Sequence, residues 1–243
     1  MKRKEQTEQT VVFGIHPILE LLRAKRRHLS RLYTTDPAPR AFEQIKRLIP
    51  AHIPVSFISH DALSKIAGTE EHQGFAGLTT PFSFRKKPFT PDKTPFIVLI
   101  DSVQDTRNLG GIIRSVYCTG ANGLVLAGRQ SAPINGSTCK ASAGLLEHLE
   151  IYQAPTAFHA ALELKKSGYS LYMGALNGKK ATDVDFKPPL CIVIGNESTG
   201  IAPELLRMGT VVTLEQKTPD ISYNASVAAG ILLFLAATKN RFI

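Results

Sequence analysis

The hydrophobic residues in the second half of the chain fall into short continuous runs. Runs that are apolar at every position are typical of parallel strands covered on both faces. Stretches with apolar residues at helical spacing lie between these runs. The alternation predicts an α/β fold with a parallel sheet. The predicted strands are 96–100, 124–127, 171–175, 190–194 and 211–214, and the predicted helices are 109–118, 140–147, 157–166, 203–208 and 223–239.

The first 80 residues also alternate between helix and strand patterns, but their elements are shorter. This pattern predicts a small α/β sandwich. The segment has no phosphate loop and no nucleophile with a neighbouring base, which favours a binding role over a catalytic one. The predicted helices are 17–26, 41–49 and 61–67, and the predicted strands are 29–34, 55–58 and 75–79.

A change in composition separates the two halves. Residues 81–95 contain four prolines and four basic residues, which is typical of an extended, semi-rigid linker. We therefore predict a binding domain over residues 1–80, a linker over 81–95 and a second domain over 96–243.

The charge distribution indicates a polyanionic partner for the first domain. The chain carries a net charge of +9, of which +7 belongs to residues 1–95 and +2 to residues 96–243. A basic domain beside a nearly neutral one is typical of nucleic-acid binding. The alternative, a basic surface that serves only solubility, stays open at this point.

Cysteine, histidine and apolar patterns exclude several classes. Cys118, Cys139 and Cys191 show no metal-ligand spacing and fit buried thiols in a reducing compartment. The seven histidines form no paired motif, so no metal is predicted. The longest apolar run, 227–237, is too short for a membrane span, and residues 1–9 do not begin a signal peptide. These features predict a soluble cytoplasmic protein.

Three polar segments follow the predicted strands, at 108–114, 194–201 and 220–226, and the first two contain glycine. Open α/β sheets place their ligands at this strand edge, so one crevice is expected to gather the three segments. Asn108 and Ser222 are expected to act as N-caps of the helices that follow them. Each segment taken singly also fits an ordinary turn or strand–helix junction. The polar side chains they supply are Asn108, Arg114, Glu197, Ser222 and Asn224.

The usual cofactor fingerprints are missing from the sequence. No GxGxxG opens a strand–helix unit, and no GxxxxGK[ST] occurs. Dehydrogenases, kinases and P-loop ATPases are therefore excluded as interpretations.

Taken together, the three segments resemble the three motifs of the SpoU family, which are RNA ribose 2′-O-methyltransferases of the SPOUT superfamily. The matching residues are Asn108-x-Gly110-x-x-x-Arg114, Gly195-Asn196-Glu197-x-x-Gly200 and Ser222-Tyr223-Asn224. Residues 12–20 and His72-Gln73-Gly74 resemble the substrate-binding domain of the same family. The resemblance covers nearly the whole chain. It is closest to the branch that methylates a guanosine ribose of 23S rRNA, with the tRNA-modifying branch as the alternative.

The resemblance implies a C-terminal trefoil knot, S-adenosylmethionine as methyl donor, structured RNA as substrate and a homodimer with no membrane partner. The catalytic residues it implies are Asn108, Arg114, Glu197 and Asn224, with Glu197 holding Arg114 or a partner loop. A competing interpretation is a catalytically silent RNA-binding or ribosome-assembly protein that keeps the fold. The residues implied in cofactor binding are Gly174, Ile194, Gly195, Asn196, Gly200, Leu214, Ser222, Tyr223 and Ala225.

Three positions depart from the family pattern. Tyr223 stands where leucine is usual, Ser198 where glycine is usual, and Glu215 where proline is common. We expect the Tyr223 ring to pack in the cofactor pocket, with a hydroxyl that needs a hydrogen-bond partner if it is buried.

Overall fold

The computed structural model describes residues 9–127, 131–218 and 221–243, so Asp220, the first residue of the third polar segment, lies outside the described residues. Its contacts divide the chain into two units. In chain order the elements are β1 (Thr10–Phe13), α1 (Ile15–Ala24), β2 (Leu29–Thr35), α2 (Phe42–Lys46), β3 (Val55–Ile58), α3 (His60–Ala67), β4 (Phe75–Thr79), β5 (Phe96–Ile100), α4 (Thr106–Cys118), β6 (Gly123–Ala127), α5 (Gly136–Ala141), a 3₁₀ turn (Leu145–His148), β7 (Glu150–Ala154), α6 (Ala157–Lys166), β8 (Ser170–Lys180), a 3₁₀ turn (Ala181–Asp183), β9 (Leu190–Ile194), α7 (Pro203–Leu206), β10 (Thr210–Thr213) and α8 (Ala225–Lys239).

The first unit consists of the described residues up to 83 together with 134–148. Its sheet has the order β1-β4-β2-β3, in which β1, β4 and β2 pair antiparallel and β3 joins β2 in parallel. The expected α/β arrangement is present. Strand β1, an edge strand of four residues, was not predicted from the sequence. The core side chains include Ile18, Leu32, Ile45, Leu63 and Phe75, each fully buried.

The segment 134–148 packs into the first unit, although its sequence position lies inside the predicted second domain. Helix α5 approaches β1 so closely that a Cβ on Gly136 would lie 2.6 Å from the Val11 carbonyl oxygen. Glu147 and Arg27 form a buried ion pair, with Arg27 Nε donating to Glu147 Oε2 at 3.0 Å. Arg27, one of the basic residues of the first domain, is therefore a structural group and is only 9% exposed.

The second unit contains residues 84–133 and 149–243 and is built on a six-stranded sheet. The order is β10-β8-β9-β5-β6-β7, and every neighbouring pair is parallel. Strands β5, β6 and β9 are buried at every position, as their apolar runs predict. Strand β7, at one edge, was not predicted because its sequence mixes polar and apolar residues and contains no continuous apolar run. The parallel α/β prediction is confirmed.

Most of the predicted linker packs on the second unit. The Arg85 amide donates to the Ile151 carbonyl at 2.7 Å, which places Arg85 beside the edge strand β7. The Phe89 ring is buried, and the Arg85 guanidinium lies 4.8 Å from its centroid. The extended chain predicted for 81–95 is thus anchored from Arg85 onward.

The cysteines differ in part from the expectation that all three are buried. Cys139 and Cys191 are buried, and burial raises the pKa of both thiols, whereas Cys118 at the end of α4 is exposed. No helix in the described ranges combines the length and the apolar character that a membrane crossing needs.

Candidate active site

A cavity of about 420 Å³ lies in the second unit, at the carboxyl ends of β9 and β10 and beside the middle of β8, and the start of α8 borders it. This is the sheet edge where the three polar segments were expected to meet. All nine residues expected to bind a cofactor line this one cavity: Gly174, Ile194, Gly195, Asn196, Gly200, Leu214, Ser222, Tyr223 and Ala225.

The lining also contains apolar residues that the sequence analysis did not single out. They lie in β8, in β10, between β9 and α7, on α7 or on α8, and no motif in the sequence marks them. Leu176 belongs to a bulge in β8 and is 50% exposed. The additional apolar lining residues are Ala175, Leu176, Ile201, Leu206, Val212, Ala228 and Leu232.

The loop 195–200 owes its shape to two glycines and one asparagine. A Cβ on Gly195 would lie 2.4 Å from the Gly200 carbonyl carbon, and Gly200 has φ of +69°, so both positions need glycine. Asn196 Oδ1 accepts from the Ser198 and Thr199 amides at 2.8 and 3.1 Å. Its Nδ2 donates to the Ser102 carbonyl at 2.7 Å. The Asn196 side chain therefore organises the loop that borders the cavity.

Three of the four expected catalytic side chains form one hydrogen-bonded chain. Asn224 Nδ2 donates to Asn108 Oδ1 at 3.0 Å, and Asn108 Nδ2 donates to Glu197 Oε1 at 2.9 Å. Glu197 also accepts from the amides of Gln104 and Asp105, at 3.4 Å each. The chain links all three motifs, and Glu197 is itself part of the cavity lining.

The two expected N-caps are both wrong, and the hydrogen-bonded chain explains why. Helix α4 begins at Thr106, with Asp105 accepting from the Arg107 amide, which leaves the Asn108 side chain free to bridge Glu197 and Asn224. Helix α8 begins at Ala225, and its cap is Asn224 rather than Ser222. Ser222 instead lines the cavity.

The hydrogen bonds around Glu197 keep its carboxylate charged. Partial burial works to raise the pKa of Glu197, but the donors that face it outweigh this effect. These donors are the Asn108 side chain and the backbone amides of Glu197, Gln104 and Asp105, and they hold the pKa below its ordinary value.

Arg114 lies on α4 less than two helical turns beyond Asn108 and is exposed. Within the described part of the chain its guanidinium makes no hydrogen bond or ion pair, so Glu197 holds the Gln104–Asp105 loop and Asn108 rather than Arg114. The structure thus does not bring Arg114 into the hydrogen-bonded chain of the other three side chains. An exposed guanidinium with five unused donors is suited to binding an anionic or developing anionic oxygen.

Helices α4 and α8 approach closely, which brings the first and third motifs together. A Cβ on Gly111 would lie 3.1 Å from the Ser226 Cβ, and one on Gly230 would lie 3.3 Å from the Ser115 Oγ. Gly111 was not predicted to have this role, although a small residue about one helical turn from Asn108 indicates a close helix contact.

Comparison with protein-family models gives two matches. Residues 95–234 match the SpoU rRNA Methylase family, and residues 11–85 match the RNA 2'-O ribose methyltransferase substrate binding family.

Among individual proteins, the chain is 31% identical over 248 residues to an uncharacterized tRNA/rRNA methyltransferase of Synechocystis, covering 95% of this chain and 63% of that protein. The chain thus spans less than two thirds of that relative's length. A crystal structure of an RNA 2'-O ribose methyltransferase superposes with a TM-score of 0.85 at 19% identity, covering 99% of this chain and 93% of the other. The SpoU methyltransferase AviRb from Streptomyces viridochromogenes, solved with AdoMet, gives 0.80 at 21% identity, with 99% and 94% covered. These two structures share the fold.

Proposed function

The chain belongs to the SpoU rRNA Methylase family, and from this premise we propose that it transfers a methyl group from S-adenosylmethionine to a ribose 2′-hydroxyl of structured RNA. One observation carries the proposal. The second and third polar motifs line a single cavity, and the hydrogen-bonded chain Asn224–Asn108–Glu197 ties the first motif to both of them. A protein that kept the fold only to bind RNA would not need this constellation.

The cavity fits a ligand with apolar and polar parts. Its volume lies within the range of about 300–1,000 Å³ typical of small-molecule sites. Leu176, Leu214 and Leu232 provide apolar surface, while the glycine-containing loop 195–200 leaves room along its backbone. S-adenosylmethionine supplies an electrophilic methyl group on a positively charged sulfur. We assign its binding to the nine lining residues expected from the sequence.

Arg114 acts on the substrate hydroxyl in this proposal. A guanidinium offers donors and no acceptor, so Arg114 is not assigned the role of base. It donates hydrogen bonds to the 2′-oxygen as negative charge develops there, and it clamps the adjacent phosphate. A phosphate oxygen of the RNA then takes the hydroxyl proton.

Asn108, Asn224 and Glu197 hold the geometry for this step. Their hydrogen bonds fix the start of α4, the start of α8 and the loop after β9 against one another. Alignment of the attacking oxygen with the methyl group depends on these elements, and alignment of reactants contributes several kcal/mol to typical barriers.

The favoured substrate within this proposal is a guanosine ribose of 23S rRNA, in keeping with the branch that the motifs resemble, and the compartment is the cytoplasm. A tRNA ribose is the alternative, and the name of the Synechocystis relative covers both RNAs. The first unit, with its basic surface and its match to a substrate-binding family, would hold the RNA.

The second unit also supports a homodimer. On α8, Val227, Ile231 and Phe234 follow at intervals of four and three residues and are 48%, 36% and 55% exposed. Tyr117, on the neighbouring helix α4, is 43% exposed. An apolar stripe of this kind needs a partner, and we propose a second copy of the chain.

The strand order is compatible with a trefoil knot, which we include in the proposal. Strand β10 pairs with β8, although β9 lies between them along the chain. The chain between β9 and β10 therefore crosses β8, and α8 then returns against β8 and β9.

Two measurements test the function. Calorimetry of the full chain with S-adenosylmethionine should give a saturable one-site binding curve. Mapping of 2′-O-methyl groups in RNA from a strain without the gene should reveal a missing site, and the purified chain should restore that site in the same RNA. Cofactor binding without any missing site in rRNA or tRNA would favour the catalytically silent interpretation.

A further inference from the structure

The segment Leu214–Gln216 forms part of the cavity wall, but its middle residue, Glu215, contacts Tyr223 and Lys180 instead of lining the cavity. Leu214 and Gln216 line the cavity, whereas Glu215 is exposed and does not. The position of the two lining residues therefore depends on what holds Glu215.

Tyr223 holds the backbone of Glu215 from one side. The Tyr223 hydroxyl donates to the Glu215 carbonyl oxygen at 3.3 Å. Tyr223 itself lines the cavity, so this hydrogen bond joins two parts of the wall that are eight residues apart in the chain. The hydroxyl that distinguishes tyrosine from the leucine usual in the family thus has a specific partner.

Lys180 holds the side chain of Glu215 from the other side. Lys180 Nζ lies 2.7 Å from Glu215 Oε1, and its hydrogen bond to Glu215 raises the pKa of Lys180. The backbone places it there, because β8 resumes pairing with β10 after its bulge, with Lys180 opposite Thr213. Gly178 permits this return, since a Cβ there would lie 2.5 Å from the Val211 carbonyl carbon.

We propose that Lys180 and Tyr223 are positioning residues that fix Leu214 and Gln216 in the wall of the cofactor pocket. Lys180 pairs with the Glu215 carboxylate, and the Tyr223 hydroxyl donates to the Glu215 carbonyl oxygen. The inference rests on the proposed function, since it assigns the cavity to S-adenosylmethionine. A proline in place of Glu215 would restrict the backbone by its ring alone. In this chain two side chains provide that restraint instead.

The test compares Tyr223→Phe, Lys180→Met and Glu215→Gln in the full chain, with Lys179→Met as the matched control. Each of the three variants should raise the dissociation constant for S-adenosylmethionine about two- to fivefold, which is the scale of one hydrogen bond or exposed ion pair. The KM for the cofactor should rise by the same factor, while kcat at saturation stays within about twofold of the original. Lys179→Met should match the unmodified chain.

Two further readouts separate positioning from a general loss of structure. The double variant Lys180→Met/Glu215→Gln should bind no worse than either single variant, because both remove one interaction. The exchanged pair Lys180→Glu/Glu215→Lys should recover affinity. Salt should speed cofactor release more in the unmodified chain than in Lys180→Met, since exposed ion pairs are screened.

Equal affinity for the cofactor in Lys180→Met, Tyr223→Phe and Lys179→Met would overturn the inference and leave the proposed function standing. An exchanged pair that binds no better than Lys180→Met would also overturn it. Failure of the unmodified chain to bind S-adenosylmethionine would instead overturn the proposed function, and the inference with it.

Discussion

At the scale of single residues, Arg114 and Arg27 show how differently two arginines are used in this chain. Arg27 is buried and paired with Glu147, whereas Arg114 is exposed on α4 and bonded to none of the described residues. A guanidinium without an internal partner keeps its donors available for substrate. The proposed chemistry accordingly depends on Arg114.

Replacing Arg114 with alanine should abolish detectable methyl transfer while cofactor affinity stays within a few-fold. The reason is that Arg114 is not part of the cavity lining and acts on the developing charge of the ribose oxygen. Single-turnover transfer to RNA and calorimetry with S-adenosylmethionine would measure the two quantities. Arg207→Ala, an exposed arginine of the same unit, is the control. Retention of more than about a tenth of the original turnover would exclude a contribution of even ~1.4 kcal/mol.

Glu197→Gln should lower turnover about tenfold or more without a comparable loss of cofactor affinity. The amide keeps one acceptor for Asn108 but presents a donor to one of the loop amides that the carboxylate now accepts. Because the pKa of Glu197 is held low, its stabilising contacts are complete above its ordinary pKa of ~4.3 and are lost only as pH falls through the lowered value. A pH–rate profile between pH 6 and 9 should therefore show no step from Glu197. A step in that window that disappears in Glu197→Gln would contradict this assignment.

At the scale of elements, the motif His72-Gln73-Gly74 fixes the turn before β4. The Gly74 amide donates to His72 Nδ1 at 3.0 Å, which leaves the ring proton on Nε2 for Ser64 Oγ, also at 3.0 Å. Gln73 Oε1 accepts from the Ile15 amide at the start of α1. The motif noticed in the sequence is thus a structural joint between α1, α3 and β4.

This joint should make the first unit sensitive to mild acid. Burial, with repulsion from His60 and Lys140, lowers the pKa of His72 despite the opposing charge of Glu70. The unfolded chain then binds more protons, so stability is complete above the unfolded pKa of ~6.5 and is lost as pH falls below it. Thermal unfolding between pH 8 and 5 should show this loss in the unmodified chain and in His52→Gln, and a much smaller one in His72→Gln. Equal pH dependence in all three would show that His72 titrates normally.

The elements also show which parts of the fold a sequence can predict. Strands β5 and β9 and helix α6 have their predicted boundaries because a fully apolar run or a helical period determines them locally. The edge strand β7 was missed because its sequence mixes polar and apolar residues, and β1 was missed because its strand character depends on pairing with β4, which is distant in the chain.

The candidate site divides in the same way. The nine expected residues of the cavity lining were implied by the resemblance of the motifs to the SpoU family, whereas the roles of individual polar atoms were not predictable. Asn108 is recruited by Glu197 and Asn224, and this tertiary demand overrides its local tendency to cap a helix. The position of 134–148 in the first unit depends on the Arg27–Glu147 pair, whose members are 120 residues apart.

At the scale of the whole molecule, the apolar stripe on α8 should determine the oligomeric state. Phe234→Asp places a charge at the most exposed residue of that stripe, so the variant should sediment as a monomer while the unmodified chain sediments as a dimer. Phe158→Asp is a matched control, because Phe158 is 45% exposed but lies on α6. Sedimentation velocity at micromolar concentration measures the difference. Dimers of both variants, or a monomeric unmodified chain, would reject α8 as the interface.

The two units should lose stability independently, and Arg27 provides the means to show it. Arg27→Met leaves Glu147, 1% exposed, without its cation, and breaking a buried pair in this way costs about 3–5 kcal/mol. The cost falls on the first unit, whereas the proposed cofactor cavity is built entirely from the second. Arg27→Met should therefore weaken RNA binding strongly and leave calorimetric binding of S-adenosylmethionine within about twofold.

The double variant Arg27→Met/Glu147→Leu is the control for this prediction, because it removes both charges and fills the space with apolar groups. It should recover much of the lost stability in chemical denaturation, along with RNA binding. That binding should also weaken steeply with added salt, since phosphate contacts release counterions. If Arg27→Met reduces cofactor affinity as much as RNA affinity, the two units do not function separately. The assignment of RNA binding to the first unit would then fail.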